Sequence, residues 1–183
     1  MRRAFLFVVA SLLISPGVHA TTIVPAEFRE VVNGSQIIVH GRVSEIRAVL
    51  MDGRRRIDTI VTLDVGTVLR GGSAETITFR VPGGTVGRYR SIMVGAPQFQ
   101  TGEEVVMFLR AEGPAIPHVF GLNQGVFRVR ADARTGERLV IPPALMAGSD
   151  APEKVTRGAL ERRPVPLDDF DAQVRAVLRG RAR

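Results

Sequence analysis

Two long stretches of alternating side-chain character, Gln36 to Val49 and Ile57 to Leu69, lie on either side of Met51-Asp52-Gly53-Arg54. Successive side chains of an extended chain point to opposite sides, so a period of two marks strands with one buried face. Ile37, Val39, Gly41 and Val43 share a side in the first stretch; Ile57, Thr59, Val61, Leu63 and Val65 share one in the second. Asp-Gly is turn chemistry, so the two stretches are expected to form one long hairpin.

More strands follow. Arg70-Gly71-Gly72-Ser73 turns the chain into Thr76 to Val81, where Ile77, Phe79 and Val81 face one way and Thr76, Thr78 and Arg80 the other. Pro82-Gly83-Gly84 ends that strand, and the glycine-rich stretch to Gly95-Ala96-Pro97 reads as a loop holding one weak strand near Ser91 to Val94. Glu104 to Leu109 is a short apolar run suited to burial on both faces. His118 to Leu122 and Val126 to Val129 are expected to pair across Asn123-Gln124-Gly125, and Thr135-Gly136 to turn the chain into Arg138 to Ile141. Short strands separated by glycine turns, with no helix between them, predict an all-β or mainly β domain. The expected architecture is a small antiparallel barrel of OB-like or Greek-key type over residues 21–141.

Helices flank it. Pro25 to Val32 reads as a short helix with Pro25 at its first position, Phe28, Val31 and Val32 on one face, and Asn33-Gly34 as its end. Residues 142–166 hold five of the eleven prolines and little apolar pattern, as an extended linker would. Residues 167–183 form an amphipathic helix: Asp168 suits its start, Phe170, Val174, Val177 and Leu178 form a stripe, and Arg179 and Arg181 sit near its end.

At the other end of the sequence, Arg2 and Arg3, the apolar run Ala4 to Ile14 and the exit Val18-His19-Ala20 follow the three-part pattern of a cleavable secretory signal. The run is shorter than the roughly 20 apolar residues a spanning helix needs. Cleavage after Ala20 gives a mature chain starting at Thr21, periplasmic or secreted, with no transmembrane segment. Loss of Arg2 and Arg3 lowers the formal net charge from +7 to +5. Lys154 is the one lysine, and the arginines are spread along the chain, unlike the clustered footprint of a nucleic-acid site. The expected partner is therefore an unidentified protein or envelope component, with no nucleic acid.

Catalytic signatures are sparse. The chain has no cysteine, which excludes thiol catalysis, thiolate metal sites and redox switching. His40 and His118 are the histidines after the signal, and they lack the paired spacing of a zinc site, so no metal and no cofactor is expected. No Gly-x-Ser-x-Gly elbow is present. Glu103-Glu104 reads as a turn entering a strand, and Asp132 to Glu137 as a hairpin turn. A hydrolase would have to assemble its site from scattered residues such as Glu103, His118 and Asp132. Phe79, Phe108 and Phe127 fit core packing better than a base-stacking platform. The Pro82 to Arg88 loop, with Arg88 and Arg90, is the candidate binding element, because binding residues favour loops on rigid sheets.

Ile37-Ile38-Val39-His40-Gly41-Arg42-Val43, Thr59 to Val65 leading to Val68-Leu69-Arg70-Gly71, Pro82-Gly83-Gly84, and Gly95 to Phe99 with Gly102 to Leu109 together resemble a family of uncharacterised exported bacterial proteins. That resemblance spans about residues 22–130 and implies no activity. More distantly, the opening helix and the strand pair ending in an apolar-basic-Gly turn resemble the netrin-like module, the OB-type barrel of the tissue inhibitors of metalloproteinases. Those inhibitors reach a protease zinc through a mature N-terminus that begins with Cys. Here the resemblance implies an inhibitor acting through Thr21 and Thr22, with the α-amino group of Thr21 in place of the missing cysteine. The leading expectation is an exported, non-catalytic binding module; the alternatives are that inhibitor and the scattered-site hydrolase.

Overall fold

The computed structural model describes residues 25–51, 53, 56–143 and 164–181. The expected signal segment, Thr21, Thr22 and most of the expected linker lie outside the described residues. In chain order the elements are α1 (Phe28–Gly34), β1 (Ile37–Met51), β2 (Arg56–Arg70), β3 (Thr76–Pro82), β4 (Gly84–Val86), β5 (Tyr89–Ser91), β6 (Glu104–Arg110), β7 (His118–Val119), β8 (Val126–Ala131), β9 (Arg138–Ile141), β10 (Val165–Pro166) and α2 (Leu167–Arg181). The protein is mainly β, with a short helix before the sheet and a longer one after it.

The long hairpin forms as its alternation demands, running from Ile38 opposite Arg70 to Met51 opposite Arg56. β2 then pairs with β3, β3 with β7, β7 with β6, and β6 returns to β1. The sheet thus closes on itself in a ring of five strands. An odd-membered ring cannot alternate direction throughout, so one junction must be parallel. It falls between β3 and β7, at Arg80 and His118; the other four junctions of the ring are antiparallel, as expected. Closure also needs β1 to bend. Register shifts at Ile38/Val39, His40/Gly41 and Val43/Glu45 supply the bend, as bulges do in small barrels. At Gly41 a Cβ would run into the Asp64 carbonyl oxygen, so only glycine fits that close crossing.

Two apolar layers share this ring. The interior holds Val39, Val43, Val61, Leu63, Phe79, Val81, Val105, Met107, Leu109, Val119 and Val126. The second layer lies outside the ring, where Ile38, Val106, Phe108, Phe127, Val129 and Val140 meet Val31 and Val32 of α1 and Leu167, Phe170 and Val174 of α2. β6 serves both: Val105, Met107 and Leu109 turn inward while Val106 and Phe108 turn outward. All five are fully buried, as expected for a run apolar on both faces.

The helices form for local reasons. In α1 the Glu27 backbone N–H donates to the Glu30 carboxylate at 3.0 Å, half of a capping box. That start makes Phe28 the first helical residue and leaves Pro25 outside. In α2, Leu167, Phe170 and Val174 fall at i, i+3 and i+7 and form its buried stripe, and Asp168 and Asp169 lie in the first turn, where the helix dipole favours acids. Four phenylalanines lock this layer: Phe28, Phe108, Phe127 and Phe170 have every pair of ring centroids 5.0 to 6.3 Å apart.

Elsewhere the structure revises expectation. His118–Val119 and Val126–Ala131 do not pair with each other; both lie along one side of β6, β7 against Leu109 and Arg110 and β8 against Glu104 to Met107. The chain between them folds back where the Phe108 N–H meets the Gly125 carbonyl and the Phe120 N–H meets the Phe108 carbonyl. Val165 and Pro166, inside the stretch read as a linker, form β10 against Val140 and Leu139. The expected weak strand near Ser91 to Val94 is a hairpin instead, β4 with β5, and it stops at Ser91.

Candidate functional site

That β4–β5 hairpin carries the most unusual surface of the described residues. Val86 pairs with Tyr89, leaving a two-residue turn whose first position needs a positive φ, which Gly87 supplies at 58°. Its base is fixed to the ring. The Gly83 N–H donates to the Ile57 carbonyl at 2.9 Å, and the Thr59 hydroxyl donates to the Gly83 carbonyl at 2.7 Å. A Cβ at Gly84 would collide with that hydroxyl, so the glycines let the hairpin seat directly on β2. After β5, the Ala96 N–H closes a turn on the Met93 carbonyl, and Ala96 and Phe99 tuck back against the interior layer.

Between these anchors the exposed stretch, the tip, comprises Arg88 and Tyr89 at the hairpin turn and the loop Ile92 to Val94, which follows β5 beside Gly83. Tyr89, Ile92, Met93 and Val94 are 53%, 70%, 50% and 72% exposed, four of the five large hydrophobics exposed among the described residues. Isolated exposed apolar side chains are ordinary, but a contiguous group points to an interaction site. Arg88 and Arg90, the residues expected to bind, sit in the same hairpin and are exposed. The Arg88 guanidinium lies 5.2 Å from the Tyr89 ring centroid and donates to its hydroxyl at 3.0 Å. No carboxylate among the described residues pairs with either arginine, and the sequence has no Asp or Glu between Glu75 and Glu103. Sequence reasoning picked out the arginines but missed the apolar tip. Its signal was there: Ile92-Met93-Val94 stands in an acid-free stretch.

A second cluster gathers ionisable groups on the outer rim of the ring. His40, 8% exposed, sets its Nε2 2.8 Å from Glu104 Oε1. Arg42 reaches Glu104 Oε2 at 3.2 Å, and Arg138 reaches Oε1 at 3.2 Å. Beside them Arg128 pairs with Glu103 at 2.8 Å and donates to the Gln98 carbonyl at 2.8 Å. Asp171 of α2 faces this group. Burial pushes its carboxyl up, while the charges of His40 and Arg175 pull it back down. Its Oδ1 is buried without a hydrogen-bond partner. Both glutamates are thus occupied by cationic partners: Glu104 links β6 to β1 and β9, and Glu103, just before β6, links to β8. Sequence spacing gives no hint of the cluster, because its members run from residue 40 to residue 171.

The scattered trio Glu103, His118 and Asp132 is not brought together. Glu103 precedes β6, whereas His118 pairs with Arg110 at its far end, roughly 20 Å of strand away. Asp132 lies beyond the end of β8 nearest Glu103, and its carboxylate accepts from the Arg134 and Thr135 N–H groups, each at 2.9 Å. Those bonds hold its carboxyl below the usual value and make it part of a turn, as expected. Phe79, Phe108 and Phe127 are all buried in the two apolar layers. Among the described residues no three of His, Asp and Glu converge as metal ligands would, and no helix is long and apolar enough to cross a membrane. Compared with known protein families, with curated proteins and with solved structures, the chain matches none.

Proposed function

We propose that the protein is an exported, non-catalytic binding module that docks on a component of the cell envelope through the β4–β5 tip. The observation that carries this reading is the exposed group formed by Tyr89 of an anchored hairpin and Ile92, Met93 and Val94 of the loop that follows it. Burial of an Ile, Met or Val side chain stabilises by about 1.5–3 kcal/mol. The fold realises that gain at Phe108 and Val106, both at 0% exposure, and leaves it unrealised at the tip. A partner completes it. The hydrogen-bonded base means that little ordering entropy opposes docking, which is what preorganised binding loops exploit.

Two further features support the reading. Arg2-Arg3, the apolar run and Val18-His19-Ala20 fit an export signal, which would bring the tip to the envelope. The five-stranded ring with one parallel junction supports assigning the domain to the OB type, a barrel known for using its loops and one face to bind. The ion-paired state of Glu103 and Glu104 supports a non-catalytic role.

A photoreactive side chain placed at position 92 tests the docking role. Illumination of cells expressing the exported protein should give adducts from position 92 and none from position 29, an exposed site on α1 at the opposite end of the β1–β2 ladder. Equal labelling from both positions, or none from either, would contradict it.

A further inference from the structure

The tip's shape and charge select one kind of partner, a choice that rests on the reading of the tip as the docking element. Ile92, Met93 and Val94 are consecutive, so their side chains leave the backbone in different directions, yet each is at least 50% exposed. A rigid protein pocket receives one face of a segment. A fluid apolar medium receives a protruding segment from every side. In the hairpin just before that triplet stand Arg88, at the turn, and Arg90, in β5, with no carboxylate partner among the described residues and no acid from Thr76 to Gly102. Tyr89, with its ring against Arg88 and its hydroxyl hydrogen-bonded, is the amphipathic kind of side chain that settles at a membrane–water boundary.

We infer that the tip inserts into the surface of an anionic phospholipid bilayer, the apolar triplet entering the acyl boundary while Arg88 and Arg90 meet the lipid phosphates. Neither contribution suffices by itself. A small apolar insertion gives marginal, reversible binding, and stable attachment takes a second, electrostatic signal. Each arginine close to an anionic surface strengthens binding roughly fivefold, so the pair contributes about twenty-fivefold. Attachment should weaken with salt, because exposed charges are screened.

The chain from Thr21 onward carries every residue of the described fold and lacks the apolar run, which would bind lipid by itself. Flotation of this chain with vesicles of phosphatidylcholine alone, and of phosphatidylcholine with an equal part of phosphatidylglycerol, tests the inference. Binding is expected to the mixed vesicles at least about tenfold above the neutral ones. Ile92→Ser with Met93→Ser and Val94→Ser should abolish it, and Arg88→Gln with Arg90→Gln should erase the preference for phosphatidylglycerol. Arg134→Gln, an exposed arginine in the β8–β9 turn, should change little. Circular dichroism of each variant checks that the fold survives. Absence of vesicle binding, or binding indifferent to the tip variants, overturns the inference. If position 92 still photocrosslinks to a protein in that case, the docking reading stands and only the lipid assignment falls; if it crosslinks to nothing, both fall.

Discussion

The protein has two apolar outcrops on its ring, and it treats them oppositely. At one end of the β1–β2 ladder, near Ile38 and Arg70, the outer face is capped by α1 and α2, and Phe28, Phe108, Phe127 and Phe170 form one interlocked group. Toward the other end, near Ala48 and Thr59, the β4–β5 hairpin is seated, and Tyr89 with the loop Ile92 to Val94 after it is exposed. About 30 Å of strand separates the two. Composition does not explain the difference, since both groups are made of ordinary hydrophobics. Connectivity does: α2 returns to the sheet through β10, whose pairing with β9 delivers Leu167 onto the phenylalanines. The one apolar surface is finished by the chain itself, and the other is exposed among the described residues.

Substitutions in the two regions should therefore separate stability from binding. The largest loss is expected at Phe108→Ala, about 4 kcal/mol by denaturant unfolding, because the ring contacts three other phenylalanines and no neighbour can fill the cavity. Phe170→Ala should cost about 3 kcal/mol and loosen α2, exposing the outer layer to a hydrophobic dye. Similar stability for either variant and the parent would break the claim that α2 is integral to the fold.

Smaller effects come from the rim cluster that the same helix faces. Glu104→Gln removes the charge facing His40, Arg42 and Arg138 and should cost about 2 kcal/mol. Asp171→Asn should stabilise. Its folded-state carboxyl is raised above 3.8, so the folded protein disfavours the ionised form, and stability falls as pH rises through the folded value. The gain from asparagine should be present at neutral pH and absent below pH 3.8, where the carboxyl is neutral in both states. A gain at acid pH alone would reverse that sign. The smallest effect belongs to the tip: the triple serine variant at Ile92, Met93 and Val94 should move unfolding by no more than about 0.5 kcal/mol, since the parent side chains are already in water.

How much of this the sequence discloses depends on the range of the interactions. Alternation in Gln36 to Val49 and Ile57 to Leu69 is local, and it foretells the hairpin to within two residues. The Phe170, Val174 stripe likewise foretells α2. Ring closure is not legible, because Ile37 meets Leu109 across 72 positions and no local pattern encodes that partner. Period two fails at Ile38 and Val39, adjacent yet both buried, because α1 and α2 cover the outer face that alternation assigns to solvent. The tip illustrates the converse: Ser91 to Val94 has the composition of a strand, but no described strand pairs with it after Ser91. The rim cluster needs β1, β6, β9 and α2 already assembled before its members meet.

Tyr89 is the chain's only tyrosine and the chain has no tryptophan, so its emission reports the tip alone. At 53% exposure it should be quenched readily by acrylamide in buffer. With vesicles containing phosphatidylglycerol added, acrylamide quenching should fall severalfold while quenching by lipids brominated on their acyl chains appears. Unchanged access to acrylamide, with no bromine quenching, would contradict the claim that the uncovered tip is a membrane-docking surface.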